Sequence, residues 1–325
     1  MAGTERRNLQ VRRKGVKMRH AFLMIAHSNW KQVAAFVSAI DTDQCDFFIH
    51  VNKNVCLTEE IIKMVEQSAK KSKVYFVKRI PIIWGGAGIC EASILLLEEA
   101  YKRHKYDYYH LMTGTDLLVK PFEQFDSFFE LNVYNNESEG EYKTNYISYG
   151  TPNKKMMSRV AYYNFFISQW RNSNKYIRKL ATMTNSLLCE IQNIIGINRV
   201  KKQDFDIYCG SSWWSISNEF SLYYIKAAKE FMRIFGSKTF AIDEFCPQTV
   251  VANSKYKRSL YLNPNGIAKN LRLLDFERGN GYGSPHIWTI EDKNEVLETE
   301  NLIGRKFDSE IDIDIVKTVL NLIHR

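Results

Sequence analysis

Blocks of apolar residues alternate with helical patterns over the first third of the chain. His20 to His27 (HAFLMIAH) is an unbroken apolar run closed by polar residues, the signature of a buried strand. Lys31 to Ile40 follows with helical spacing, and Asp46 to Val51 (DFFIHV) is a second strand. Thr58 to Lys70 reads as an amphipathic helix, with Thr58 at its cap and Glu59 and Glu60 in its first turn. Val74 to Val77 is a third strand. Gly88 to His104 is a helix with Ile89, Ala92, Leu95, Leu96 and Ala100 on one face, and Asp107 to Met112 is a fourth strand. This alternation predicts an α/β fold with a mainly parallel central sheet flanked by helices. Ligands on such sheets sit beyond the carboxyl ends of strands. Those ends carry His27-Ser28, Asn52-Lys53, Trp84-Gly85-Gly86 and Gly114-Thr115-Asp116.

Later periodicity is weaker. Residues 132–150 are polar and read as a loop, 160–196 as amphipathic helix, and Asp204 to Ser217 as strand-like. Phe220 to Phe235 is helical. Another helix starts at Ile242, with Asp243 at its cap and Glu244 in its first turn, where a helix N-terminus favours the carboxylate form. Ile313 to Ile323 forms the final helix. There is no internal repeat and no long linker.

Length and composition, 325 residues with 45% hydrophobic, allow a sizeable core. The expected layout is a disordered basic leader at 1–17 and a single domain at 18–325, its nucleotide-binding half at 18–125 and its acceptor and catalytic half at 126–325. The net charge of +9 is concentrated in that leader, where Arg6, Arg7, Arg12, Arg13, Lys14 and Lys17 oppose Glu5. The leader is either a lipid-binding arm or sequence upstream of a start at Met18. The mildly basic remainder suits an anionic small-molecule donor or peripheral membrane contact, not nucleic acid. The cysteines at 45, 56, 90, 189, 209 and 246 form no C-x-x-C and no zinc spacing. They fit reduced thiols in a cytoplasmic protein, one that could sit at the inner face of the membrane. No apolar run approaches the roughly 20 residues of a membrane span.

The chemistry concentrates between Gly210 and Gln248. Gly210-Ser211-Ser212-Trp213-Trp214 supplies small residues and tryptophans that can hold a sugar ring, and Asp243-Glu244-Phe245 follows. Inverting glycosyl transfer needs one carboxylate to deprotonate the acceptor hydroxyl, and Glu244 is the candidate base. The plainer alternative is a carboxylate that serves only its helix. Adjacent strand residues face opposite ways, so at most one of Trp213 and Trp214 faces a site. Trp288 is a further sugar platform or a core residue. A nucleotide-sugar leaving group needs its diphosphate neutralised by a metal or by Lys/Arg. Asp41-Thr42-Asp43 lies at the wrong end of the sheet, and Asp312-Ile313-Asp314 leads into the last helix as its cap. Neither is expected to hold a metal. The cation candidates are Arg272, Arg278, Arg305 and Lys306.

Together these motifs resemble the core-2/I-branching β-1,6-N-acetylglucosaminyltransferase family, which includes peptide O-xylosyltransferases. The resemblance runs from about Arg19 to Asp308, through His20–His27, Phe48-Ile49-His50-Val51-Asn52, Trp84-Gly85, Tyr109 to Asp116 with Lys120, Gly210 to Trp214, Asp243-Glu244-Phe245, Gly283-Ser284-Pro285-His286 and Arg305-Lys306-Phe307-Asp308. It implies a GT-A-like fold and inverting, metal-independent transfer from a UDP-sugar to a glycan, with no cofactor. The family base falls on Glu244 and its diphosphate lysine on Lys306. The family's second cation, an Arg, is missing from Ser284-Pro285-His286-Ile287-Trp288, so His286, Arg272 or Arg305 is expected to replace it. The family's strand-end Asp is Asn52 here, which can still hydrogen-bond uridine or ribose. The expected donor site is His27, Asn52, Trp84, Asp116, Arg272, His286, Arg305 and Lys306. The expected acceptor site is Ser211, Trp213, Trp214 and Asp243. The chain is more similar to the short, soluble bacterial-type members, a resemblance that implies a role in building a cell-surface or capsular polysaccharide. The competing readings are a UDP-xylose-dependent xylosyltransferase and a catalytically degenerate glycan-binding protein.

Overall fold

Apolar residues fill both faces of the leading strands, which forces helices onto both sides of the sheet. Phe22 and Met24 of β1 (His20–Ala26) point into one core and Ala21, Leu23 and Ile25 into the other. The computed structural model describes residues 17–134, 141–279 and 283–324. All of the basic leader except Lys17, and the centre of the expected 132–150 loop, lie outside the described residues.

β1 leads through α1 (Trp30–Ala39) to β2 (Cys45–Val51), then α2 (Glu59–Gln67) and β3 (Lys73–Phe76). Thr58 caps α2 by accepting the Ile61 N–H, as its position suggested. α3 (Gly88–Arg103) then crosses back, so β4 (Tyr108–Thr113) pairs with the other side of β1. These four strands are parallel. The five-stranded sheet has the order β3-β2-β1-β4-β6, closed by the antiparallel β6 (Ser215–Ser217). The winding reverses between β1 and β4, the place in such sheets where ligands bind beyond the strand ends.

A second sheet was not foreseen. β5 (Asp116–Leu118), β7 (Arg272–Leu273) and β8 (Ile303–Arg305) form it in the order β5-β8-β7. It shares its core with α1, α4 (Phe122–Leu131) and α10 (Ile313–Ile323). The expected helical stretch over 160–196 holds only the end of α5 (Lys154–Ala161), a 3-10 turn at Ile167–Gln169 and α6 (Lys175–Ile194); Asn153 and Asn174 cap the two α-helices. The expected strand over 204–217 shortens to β6, because the preceding residues make only isolated bridges such as Gly150 to Cys209. Ser217 caps α7 (Asn218–Phe235). α8 (Cys246–Ala252) and α9 (Lys293–Glu298) complete the helices used below.

A buried polar chain crosses the core at β1, β4 and β6. Asp126 meets His20 at 2.9 Å, His20 meets His110 at 2.9 Å, and His110 meets Ser215 at 2.8 Å. Arg272 then donates to Ser215 at 3.0 Å. Burial holds His110 well below the ordinary histidine range, so it is neutral there.

Gly210 lets two chain segments cross. A Cβ there would lie 2.1 Å from the Ser148 carbonyl oxygen. Gly210→Ala should therefore destabilise the protein by about 1–3 kcal/mol, read as a lower urea midpoint at unchanged slope. An unshifted midpoint would show that the crossing relaxes freely.

Candidate active site

Arg305, at the end of β8, stands opposite Asp116, at the start of β5, in the antiparallel register. Its Nη1 donates to Asp116 at 3.1 Å and to Thr113 Oγ1 at 2.9 Å. Asp116 also accepts the Thr113 N–H and hydroxyl, each at 2.8 Å. The guanidinium lies over the Trp213 ring, 4.2 Å from its centroid. Asp116 is thus the buried orienter of Arg305, not a ligand group. Lys306 follows directly and is half-buried. Among the described residues its ammonium has no hydrogen-bond or ion-pair partner. His27 sits just past β1, and its pKa is lowered by partial burial first and then by the nearby Lys306 and Arg305 charges. The three basic groups gather at the reversal between β1 and β4, an arrangement that favours an anion.

Trp288 is fully buried and donates from Nε1 to the Arg305 carbonyl at 3.0 Å, while its N–H donates to the Lys306 carbonyl at 3.0 Å. It is a core residue that shapes the Arg305–Lys306 backbone, not a sugar platform. Trp214 is likewise core, 1% exposed and edge-on to Tyr224. Of the pair, Trp213 is the one that reaches the cation cluster.

Arg272 corrects an expectation. It is buried, and donates to the Asn270 carbonyl at 2.6 Å and the Trp214 carbonyl at 2.8 Å. Burial pushes its pKa down. It braces the strand ends from inside and is spent on carbonyls. His286 is also diverted: its Nε2 pairs with Asp292 at 2.9 Å. Arg278 is held by Asp275, Asp292 and Glu295. His286 does accept the Lys306 N–H through its backbone carbonyl at 3.3 Å, but of the proposed replacements it is Arg305 whose charge acts on His27 together with that of Lys306. Asn52 is engaged as well. Its amide donates to the Ile82 carbonyl at 3.0 Å and accepts the Ile82 N–H at 3.1 Å, fixing the segment that leads to Trp84.

Glu244 closes a short 3-10 turn, Ile242–Glu244, just ahead of α8, rather than sitting in the first turn of a longer helix. Its side chain is 38% exposed and its Oε2 accepts from Arg159 at 2.8 Å. Oε1 accepts no hydrogen bond among the described residues. Arg159, on α5, also donates to the carbonyls of Phe240 at 3.0 Å and Ala241 at 3.2 Å, and lies over the rings of Phe240 and Phe245. Phe240 packs on Gly85, where a Cβ would lie 2.2 Å from its ring, and edge-on to Trp84. The Arg171 guanidinium lies 3.9 Å from the centroid of the Trp84 ring. Glu244 is also tied to the glycine-serine segment, since its carbonyl accepts the Gly210 N–H at 2.9 Å. That segment continues through Ser211, whose carbonyl is held by Gln248 at 2.6 Å, to Trp213 and hence to Arg305. Arg159 and Phe240 were missed because no local pattern marks them.

Asp243 is the inward member of the acidic pair. It is 8% exposed and accepts from Ser212 at 2.6 Å. Burial, with a smaller push from the Glu244 charge, raises its pKa to about 6 against the pull of Ser212. Asp41 and Asp312 each serve local backbone N–H groups, Asp41 those of Lys70 to Ser72 and Asp312 those of the α10 N-terminus. Among the described residues no cluster of His, Cys, Asp and Glu side chains suits a metal ion, and no helix is long and apolar enough to cross a membrane.

With strand order, cation cluster and carboxylate placed, the protein is of the sugar-transferring class. Residues 20–292 match the Core-2/I-Branching enzyme model, and the chain belongs to that family of glycosyltransferases. Membership implies a nucleotide-sugar donor and a glycan acceptor. No curated protein sequence matches it. Similar solved structures include core-mannan synthase A from Aspergillus fumigatus in its Mn/GDP form, 11% identical over 79% of this chain and 72% of that one, with a TM-score of 0.29. Mouse xyloside xylosyltransferase 1, in its apo form, is 9% identical over 89% of this chain and 97% of that one, with a TM-score of 0.37.

Because Asp243 binds its proton more tightly folded than unfolded, it favours the fold below about pH 4 and loses that contribution as pH rises through about 6. Asp243→Asn should therefore be more stable relative to wild type at pH 7.5 than at pH 4.5, with both compared by urea unfolding. A pH-independent difference would place the Asp243 pKa at its ordinary value.

Proposed function

We propose that this protein is an inverting, metal-independent glycosyltransferase that moves a sugar, GlcNAc by its family resemblance, from a UDP-sugar to a glycan hydroxyl in polysaccharide synthesis. The observation that carries the reading is the pairing of one accessible, Arg159-anchored carboxylate at Glu244 with the Arg305, Lys306 and His27 cluster, joined through the Gly210–Trp213 segment. Asp243 is already committed to Ser212, which leaves Glu244 as the base.

In this reaction Glu244 takes the acceptor hydroxyl proton as that oxygen bonds to the anomeric carbon. The carbon–phosphate oxygen bond breaks on the opposite face, and UDP leaves with its electron pair. Arg305 and Lys306 neutralise the diphosphate, the task a metal performs in other transferases. Arg159 holds one carboxylate oxygen and leaves the other for the acceptor. Trp213, itself buried, carries the Arg305 guanidinium on its ring and so orients that cation.

Glu244→Gln should lower transfer by about 10²–10⁴-fold while UDP affinity by calorimetry is unchanged. Wild-type turnover would remove Glu244 from its role. Lys306→Ala should weaken UDP binding by about 10–100-fold. UDP release with UDP-GlcNAc, UDP-Xyl, UDP-Gal and UDP-Glc should be greatest with UDP-GlcNAc and should persist in excess EDTA. Preference for UDP-Xyl identifies a xylosyltransferase, and glycan binding without UDP binding identifies a degenerate lectin-like protein. A strict Mn²⁺ or Mg²⁺ requirement would overturn the cationic clamp.

A further inference from the structure

α6 presents its faces in reverse. Its inward side is polar: Asn185 accepts the Phe165 N–H at 2.7 Å, and Gln192 accepts the Tyr163 N–H at 2.8 Å and donates to the Tyr163 carbonyl at 2.9 Å. Its outward side carries Tyr176, Leu180, Met183, Leu187, Ile191 and Ile194, between 43% and 81% exposed. The helix is 20 residues long, so this stripe runs about 30 Å. A monomer gains by burying such a face inward, and contiguous exposed apolar patches of a few hundred Å² mark interaction surfaces.

The charges beside the stripe indicate what covers it. Lys179 and Glu190 lie on the same edge, about three turns apart. The edge is therefore positive near the helix start and negative near its end. A second α6 laid antiparallel, with the two-fold axis at the level of residue 185, sets Tyr176 against Ile194 of the partner subunit and Met183 against the partner's Leu187. The same operation brings Lys179 to the partner's Glu190, and symmetry makes that pair twice. A bilayer would instead set Glu190 against headgroup phosphates and gain nothing from the order of the charges.

We propose that the outward face of α6 is a homodimer interface built on an antiparallel α6 pair. The inward face holds the 163–165 segment, and Asn164 donates to the Arg159 carbonyl at 2.8 Å, so the interface lies one layer behind the residue that anchors Glu244.

Sedimentation velocity of the full chain over a range of concentrations tests this. The wild type should dimerise. Leu180→Asp with Leu187→Asp should be monomeric at an unchanged unfolding midpoint. Lys179→Glu should raise the dimer Kd by about tenfold, since two attractive pairs become repulsive, and adding Glu190→Lys should restore it. The charge-swap pair keeps the test decisive if the double aspartate variant fails to fold. A wild-type monomer, a dimer indifferent to the charge swap, or a monomer that pellets with phosphatidylserine vesicles through Leu180 and Leu187 would overturn the proposal.

Discussion

The Arg305–Asp116 pair is the constraint on which the site depends. It joins the second sheet to the end of β4, and the buried Asp116 is fully engaged within it. Asp116 receives the Thr113 N–H and hydroxyl besides the guanidinium, and the guanidinium has the Trp213 face beneath it. A buried ion pair is of little net benefit unless its remaining hydrogen-bonding capacity is used. Here that capacity fixes the direction of a cation. Lys306 inherits its position from the same backbone, held from behind by Trp288.

The acidic pair divides its labour by environment. Asp243 turns inward to Ser212 and Glu244 outward to Arg159, so neighbouring carboxylates have different fates. The wall around Glu244 is assembled from segments distant in sequence: Arg159 from α5, Phe240 from the loop after α7, and Gly85 with Trp84 from the loop before α3. Cation–π and edge contacts link them without any carboxylate other than Glu244.

The strand–helix alternation was legible because strands buried on both faces must be continuously apolar, as HAFLMIAH is. The final helix was legible from its period and from Asp312 as its cap. β7 and β8 were not, since strands of two or three residues carry no period to read. Composition told neither core tryptophans from surface ones nor a structural arginine from a ligand arginine. Trp214, Trp288 and Arg272 all resolved inward once tertiary contacts decided. Arg159 stands 85 positions from Glu244, a pairing only the fold can make. α6 was legible as amphipathic, but its pattern does not say which face turns to the protein.

Asn52 acquires a physical meaning from its bonds to Ile82. A carboxylate there could take the Ile82 N–H but would repel the Ile82 carbonyl, whereas the amide answers both, mimicking one rung of a strand ladder. The loop bearing Trp84 is in effect stitched to the end of β2 as if the sheet went on. A neutral side chain thus sets the stiffness of the segment that leads to Trp84.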